Sequence, residues 1–254
     1  MKHQARKRFG QNFLQDESVI ARMLAAMKPE RGERVVEVGP GLGALTLPLL
    51  DYLDTLRVVE IDRDLIARLQ ARKIEQLTII EGDVLRVNWF DMSAGNKLRI
   101  VGNLPYNIGT PLLLNLLEAH PVITDVHVML QREVVERLSA KSSTRQYGRI
   151  SVLIQSVFAV SPLFSVPPQA FEPAPKVDSA IVRLKTRVDA PAPAALRALQ
   201  SVTRLAFANK RKTLRNNFRG HLDENQLQKL DIDPQARAET LSEQDFWRLA
   251  EFMN

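Results

Sequence analysis

The sequence predicts an α/β fold, a doubly wound and mostly parallel sheet with an antiparallel edge strand, joined to a small C-terminal helical domain. Three observations predict it. Short β-branched and aliphatic runs alternate with helical stretches, a glycine-rich turn follows the first of those runs, and a Pro/Ala-rich break at Asp189-Ala190-Pro191-Ala192-Pro193-Ala194 precedes a stretch with few strand signals. At 254 residues, 45% hydrophobic and 25% charged, the chain can bury a large core and is not of disordered composition.

Taken in order, a first helix is expected to begin near Asp16-Glu17-Ser18, with Gln11-Asn12-Phe13-Leu14 as its cap region. Arg34–Gly39, Leu56–Ile61, Leu77–Glu81, Leu98–Gly102 and Val126–Leu130 read as buried strands, because parallel strands covered on both faces are near-continuous apolar runs. Ala44–Leu53 and Leu65–Lys73 carry helical periodicity between them. Val152–Val160 and Val177–Lys185 read as two more strands; the Pro-rich loop between them is too short for a helical crossover, so they are expected to pair antiparallel at the sheet edge. Residues 1–188 then form the first domain and 189–254 the helical one, with helical periodicity from Ala195 onward.

Composition excludes several chemistries. Without cysteine there is no disulfide, thiolate metal site or Cys nucleophile, and His3, His120, His127 and His221 are scattered without ligand spacing, so no metal is expected. No apolar run approaches the roughly 18 residues of a membrane span. The basic start Lys2-His3-Gln4-Ala5-Arg6-Lys7-Arg8 is not followed by an apolar signal core. A cytoplasmic protein with no membrane partner is expected. Net charge is +6, and acids are missing from Met1–Gln15 and from Ala190–Leu222. Such acid-free basic blocks suit a polyanion footprint, although a charge run also describes a solvated helix face. If Phe207–Arg219 is helical, Arg211, Arg215 and Arg219 share one face at a spacing of four.

The chemistry sits at the ends of the predicted strands. After the first comes Gly39-Pro40-Gly41-Leu42-Gly43-Ala44, where glycine lets the backbone turn hard and approach a ligand. Gly39-x-Gly41-x-x-Ala44 also satisfies the dinucleotide fingerprint, so a nicotinamide-linked dehydrogenase stays open here. Glu60 closes the second strand, where a carboxylate suits the ribose hydroxyls of any adenosine-bearing cofactor. After the third strand Asp83 could accept from the 6-amino group of a cofactor adenine. After the fourth, Asn103-Leu104-Pro105-Tyr106 offers two carbonyl acceptors for an NH₂ group, a stiff turn and an aromatic face for a flat base. The same four residues also make an ordinary strand-to-helix turn.

Glycine loop, Glu60, Asp83 and Asn103 at four successive strand ends resemble the class I S-adenosylmethionine-dependent methyltransferases, a Rossmann-like fold, that act on amino nitrogens. Further blocks extend the likeness over nearly the whole chain: Arg8–Leu14, Leu130-Gln131-Arg132-Glu133-Val134, Tyr147-Gly148-Arg149, Phe171–Ala180 and Phe207–Asn216. With the strand-end motifs, they are similar to the small-subunit (16S) ribosomal RNA adenine N6,N6-dimethyltransferases. Gly109 departs from that pattern, which usually has Ser or Ala there.

That resemblance implies methyl transfer from S-adenosyl-L-methionine to N6 of two adjacent adenines in the 3′-terminal hairpin of small-subunit rRNA, during ribosome biogenesis. It implies the small ribosomal subunit and its 16S rRNA as partner; a monomer is expected. Cofactor contacts fall on Asn12, Leu14, Gly39, Gly41, Glu60, Ile61, Asp83 and Asn103, and Gln11–Leu14 becomes a lid. Catalysis falls on Asn103, Leu104 and Tyr106, with Tyr106 and Phe171 receiving the base, and RNA contact on Lys210, Arg211, Lys212, Arg215 and Arg219. Ile61 could instead be a core residue, and Phe171 a loop hydrophobe covering the sheet edge. A large-subunit methyltransferase of the antibiotic-resistance type is the nearest alternative, against which the Phe171–Ala180 and Phe207–Asn216 blocks count. A non-enzymatic RNA-binding factor is the other, and intact Glu60, Asp83 and Asn103 argue against it.

Overall fold

A computed structural model describes residues 10–253, so Lys2, Arg6, Lys7 and Arg8 lie outside the described residues. The chain divides into two compact units, Met1–Val135 with Ser161–Thr186, and Glu136–Val160 with Arg187–Asn254. The second unit therefore includes Glu136–Val160 as well as the C-terminal segment, whereas the sequence places Glu136–Val160 in the first domain.

In the first unit β1 (Phe13–Leu14) leads into α1 (Glu17–Met27), whose N-cap Asp16 accepts from the backbone N–H of Ser18 and Val19. There follow β2 (Arg34–Val38), α2 (Thr46–Leu50), β3 (Leu56–Glu60), α3 (Arg63–Gln70), β4 (Leu77–Glu81), α4 (Trp89–Ser93), β5 (Leu98–Asn103), α5 (Gly109–Ala119) and β6 (Ile123–Gln131). Beyond α6 (Arg132–Leu138) and α7 (Arg149–Gln155) come β7 (Phe158–Val166), β8 (Phe171–Glu172) and β9 (Ser179–Thr186). The main sheet has the order β4-β3-β2-β5-β6-β9-β7. Its β4-β3-β2-β5-β6 portion is parallel, and β9 runs antiparallel to β6. β1 and β8 form a separate antiparallel pair, with Leu14 opposite Phe171.

The strand order reverses at β2, since β3 and β4 build outward on one side of it and β5 and β6 on the other. In open α/β sheets such a switch point opens a crevice at the carboxyl ends of the two flanking strands. The alternation of β-strands puts Val35, Val58, Val101 and Met129 on the face where α1 packs through Val19, Ile20, Met23, Leu24 and Met27. Their spacing makes one apolar stripe along the helix.

Two predicted elements differ. Val152–Gln155 is not strand but the end of α7, and strand begins only at Phe158. Ser151, Val152, Leu153 and Ile154 are buried in succession, and periodicity cannot separate such a run from a buried strand. The Ser151 hydroxyl starts the helix by accepting from Gly148 N–H at 3.0 Å while donating to the Arg137 carbonyl at 2.6 Å. The second difference lies at Phe207–Arg219, where only α9 (Leu214–Asn217) is helical.

The second unit also contains α8 (Pro193–Ala206), α10 (Glu224–Lys229) and α11 (Glu243–Phe252). Phe207 ends α8 and stacks on Phe246 of α11 at 5.6 Å, with Tyr147 edge-on to Phe207 at 6.4 Å. The Asn217 amide donates back to the carbonyls of Ala206 at 2.7 Å and Asn209 at 3.2 Å, closing Phe207–Thr213 into turns. Arg211, Arg215 and Arg219 therefore do not share a helical face, and Arg215 is ion-paired with Glu224 at 2.9 Å. No helix of the described residues is long and apolar enough to cross a membrane.

Two buried charge systems govern the stability of the first unit. At the strand starts, the Arg99 guanidinium holds both oxygens of Asp125 at 2.9 Å, Glu33 at 2.7 Å, and the α1 carbonyls of Met27 at 2.6 Å and Lys28 at 3.3 Å. It thereby caps α1 as well as pairing two acids. Burial raises the Asp125 carboxyl, but His127 and Arg99 more than reverse this and hold it at about 2. His127 Nδ1 stands off at 3.6 Å, so the Arg99 fork supplies the actual hydrogen bonds. Near the carboxyl end of β2, Glu37 is 2% exposed. Burial pushes its carboxyl up to about 8, against a Thr46 hydroxyl donating at 2.6 Å, and the nearby Glu60 charge adds to the rise.

The two systems predict opposite pH dependences. Arg99→Ala should cost about 3–5 kcal/mol in denaturant unfolding at neutral pH, because it leaves the buried Asp125 carboxylate without its guanidinium partner. A carboxyl with a lowered folded pKa stabilises above its unfolded pKa, so the Asp125 share should fade as pH falls from about 4 to about 2. Glu37 has the reverse sign: the native state holds a proton that the unfolded chain releases, so its share of stability declines as pH rises from about 4.5 to about 8. Glu37→Gln should flatten the unfolding free energy across that window.

Candidate active site

A cleft of about 360 Å³ opens at the carboxyl ends of β2, β3, β4 and β5, within the size range of small-ligand sites. Strand register brings its parts together: Val38 lies beside Val59, Glu60 beside Glu81, and Asn103 beside Met129. Asn12, Leu14, Gly39, Gly41, Glu60, Ile61, Asp83, Asn103, Leu104, Tyr106 and Phe171 all line this one cleft. Lys210, Arg211, Lys212, Arg215 and Arg219 belong to the second unit.

The floor is made by the turn after β2. Gly39 and Gly41 have φ of +66° and +58°, the left-handed region that favours glycine. At Gly41 a Cβ would lie 3.1 Å from the Phe13 ring, so the turn and the N-terminal segment meet with nothing to spare. Glu60 stands beside it. Its Oε1 accepts from Ile61 N–H and Asp62 N–H, each at 2.9 Å, while among the described residues Oε2 accepts only from Gly41 N–H at a long 3.4 Å. Burial raises the Glu60 carboxyl, and those backbone donors work against the rise. Oε2 thus retains acceptor capacity toward the cleft.

Ile61 is 48% exposed, which removes the core reading and leaves an apolar face on the cleft wall. Asp83 uses Oδ1 to accept from Leu85 N–H at 2.9 Å, capping a short 3₁₀ turn, and no partner reaches Oδ2 among the described residues. Leu14 and Phe171, opposite one another in the small sheet, belong to the hydrophobic core as well as to the wall of the cleft.

At the end of β5 the Asn103 amide nitrogen donates to the Asn12 carbonyl at 2.9 Å. This fixes the amide, and its oxygen is left as the group with acceptor capacity. Among the described residues no donor reaches the Leu104 carbonyl, and Leu104 N–H is held by the Met129 carbonyl at 3.3 Å. Tyr106 is half-buried, with its phenol oxygen 3.0 Å from Ser179 Oγ. Two free carbonyl acceptors beside an anchored aromatic ring can hold an exocyclic amino group and stack its base. Gln11 ties the N-terminal segment down by donating to Asp62 Oδ2 at 3.0 Å.

Glu37, Thr46 and Ser179 carry no role in the sequence analysis. Glu37 is legible as the acid two residues before Gly39, but nothing local shows that Thr46 bonds it. Gly109 sits where a Cβ would meet Leu130 Cδ2 at 2.5 Å, so the departure from the usual Ser or Ala matches a close packing of α5 on β6. Among the described residues no group of three His, Cys, Asp or Glu side chains is arranged to hold a metal ion.

Comparison with known proteins agrees with this geometry. Residues 2–254 match the family model described as ribosomal RNA adenine dimethylase. A ribosomal RNA small subunit methyltransferase A from Bordetella petrii is 51% identical over 98% of this chain and 95% of its own. A dimethyladenosine transferase structure from Plasmodium falciparum superposes with a TM-score of 0.80 at 25% identity, covering 93% of this chain and 95% of that one. The 23S rRNA methyltransferase ErmE gives 0.71 at 26% identity, over 95% of this chain and 99% of its own. The cleft is that of a class I methyltransferase fold, and the chain belongs to the ribosomal RNA adenine dimethylase family.

Proposed function

We propose that the protein is an rRNA adenine N6,N6-dimethyltransferase that takes methyl groups from S-adenosyl-L-methionine and places them on two adjacent adenines of the 3′-terminal hairpin of small-subunit rRNA. The observation that carries this reading is the pair of carbonyl acceptors at Asn103 and Leu104, one of them oriented by Asn12. Relatives named small subunit methyltransferase, at up to 51% identity, favour the small subunit over the 23S rRNA target of the more distant ErmE.

The residues present fit the cofactor. Glu60 Oε2 has the acceptor capacity for vicinal ribose hydroxyls, Ile61 gives an apolar face for an adenine, and Asp83 Oδ2 can accept from its amino group. The left-handed turn at Gly39 and Gly41 brings backbone to the cleft wall, and Asn12 and Leu14 close the cleft from the N-terminal side. When bound, the cofactor supplies an electrophilic methyl on a sulfonium.

The protein's own part is positioning. An adenine N6 lone pair is delocalised into the ring, and the amine becomes nucleophilic only as it turns toward tetrahedral geometry. Asn103 Oδ1 and the Leu104 carbonyl favour that geometry by accepting from both N–H groups, a preorganised arrangement whose benefit is largest in the transition state. The base must leave its stack to reach the cleft, and Tyr106 and Phe171 offer aromatic faces to receive it. Residues 189–254 contribute RNA contact through exposed Lys210, Arg211, Lys212 and Arg219, for which no ion pair exists among the described residues. Arg215 shares its charge with Glu224.

Incubation with radiolabelled S-adenosyl-L-methionine and undermethylated small subunits, followed by nucleoside analysis, should yield N6,N6-dimethyladenosine. Label in monomethyladenosine alone, or methylation of large-subunit RNA in a parallel incubation with none on the small subunits, would refute the reading. Asn103→Ala should lower single-turnover methylation about 100- to 1,000-fold while subunit affinity changes little. Less than a tenfold loss would remove Asn103 from amine positioning. Replacing Lys210, Arg211 and Lys212 together by Ala should weaken subunit binding without changing cofactor affinity. In a filtration assay, the slope of log affinity against log salt should become shallower by roughly 0.7–0.9 for each phosphate that is no longer neutralised.

A further inference from the structure

We propose that Ser179 is a positioning residue for the adenine site: its hydroxyl holds in place the Tyr106 ring against which the target base stacks. This rests on the reading of the cleft as the adenine site.

Tyr106 lies in the turn beyond β5, not on a strand, so the sheet alone does not set its ring. Its phenol oxygen is 3.0 Å from Ser179 Oγ, whichever of the two donates. Among the described residues no other group bonds the Ser179 hydroxyl, and Ser179 is 1% exposed. Ser179 is itself held firmly. It opens β9 directly opposite Gln131, the last residue of β6, and the residue before it is clamped twice. The Asp178 carbonyl accepts from Arg132 N–H at 3.0 Å, and its carboxylate pairs with the Arg132 guanidinium at 2.8 Å.

The stretch from Phe171 to Ser179 therefore contributes at both ends. Phe171 is fixed by pairing with Leu14 and lines the cleft, while Ser179 reaches Tyr106 on the catalytic turn. Rotation about χ1 would swing the whole Tyr106 ring away from the turn. Anchoring the oxygen at its far end holds the long axis of the ring in one direction, and a base that must stack there finds the aromatic surface already in place. Removing that bond costs some stability whether or not a base is bound, because the Ser179 hydroxyl is buried, but its effect on turnover falls on the rate and not on cofactor binding.

The test is a double-mutant cycle. Ser179→Ala and Tyr106→Phe, singly and together, are assayed for single-turnover methylation of undermethylated small subunits, subunit affinity, cofactor affinity and thermal midpoint. Each single variant should lose about 2- to 12-fold in rate, the worth of one net hydrogen bond. The double variant should be no slower than the slower single by more than about twofold, because both remove the same interaction. Cofactor and subunit affinities should stay at the wild-type values. Multiplying rate losses, a wild-type rate in either single variant, or a Ser179→Ala loss that follows cofactor affinity would overturn the proposal. Should Ser179→Ala fail to fold, Tyr106→Phe keeps the ring, and a wild-type rate in it is decisive against the role. If the wild-type protein makes no dimethyladenosine, the reading of the cleft falls; if it does and the losses multiply, the role of Ser179 alone falls.

Discussion

Where the chain parts on either side of β2, the ends of β2 and β5 approach so closely that a Cβ on Gly102 would lie 2.5 Å from the Val38 carbonyl. Only glycine allows that approach without moving a strand. With Gly102 in place, Gly39 and Asn103 emerge beside one another, and the glycine turn and the Asn-Leu-Pro-Tyr turn face a common space. Every other contributor joins from a neighbouring strand end or from the short β1 and β8 pair. The crevice follows from the strand order, and its chemistry follows from what each strand carries at its last position.

Its electrostatics are set by burial. Glu37 and Glu60 lie in the same cleft, and both carboxyls are raised because desolvation outweighs the donors they are given. The opposite end of the sheet is managed differently. There a buried arginine balances two acids and the carbonyl end of α1 in a closed network. The Arg99 network thus pairs buried charge at the strand starts, while at the strand ends Glu60 keeps an Oε2 able to accept from a ligand hydroxyl.

The parallel strands are legible in the sequence because strands buried on both faces are unbroken apolar runs, and β2 to β5 begin where those runs begin. For the same reason Val152–Gln155 reads as strand although it is helix: consecutive buried residues in a helix leave the same trace. The helix expected through Phe207–Arg219 fails through an interaction that spacing cannot show, the Asn217 amide closing on the Ala206 and Asn209 carbonyls. In the cleft, residues at strand ends can be picked out by position. The hydrogen bonds that orient them cannot, since Asn103 meets Asn12 across 91 positions and Tyr106 meets Ser179 across 73. Exposure settles Ile61 as a wall residue, while Phe171 proves to be both core and wall.

The cleft between β2 and β5 is proposed to hold an adenosine-bearing methyl donor through the glycine turn and Glu60. Calorimetric titration of S-adenosyl-L-methionine into the wild-type protein, Gly41→Asp and Glu60→Ala tests it directly. The wild-type protein should bind at one site, and both variants should lose that binding or be greatly weakened in it while keeping a cooperative unfolding transition. Near-normal affinity in both variants would contradict the assignment of the pocket.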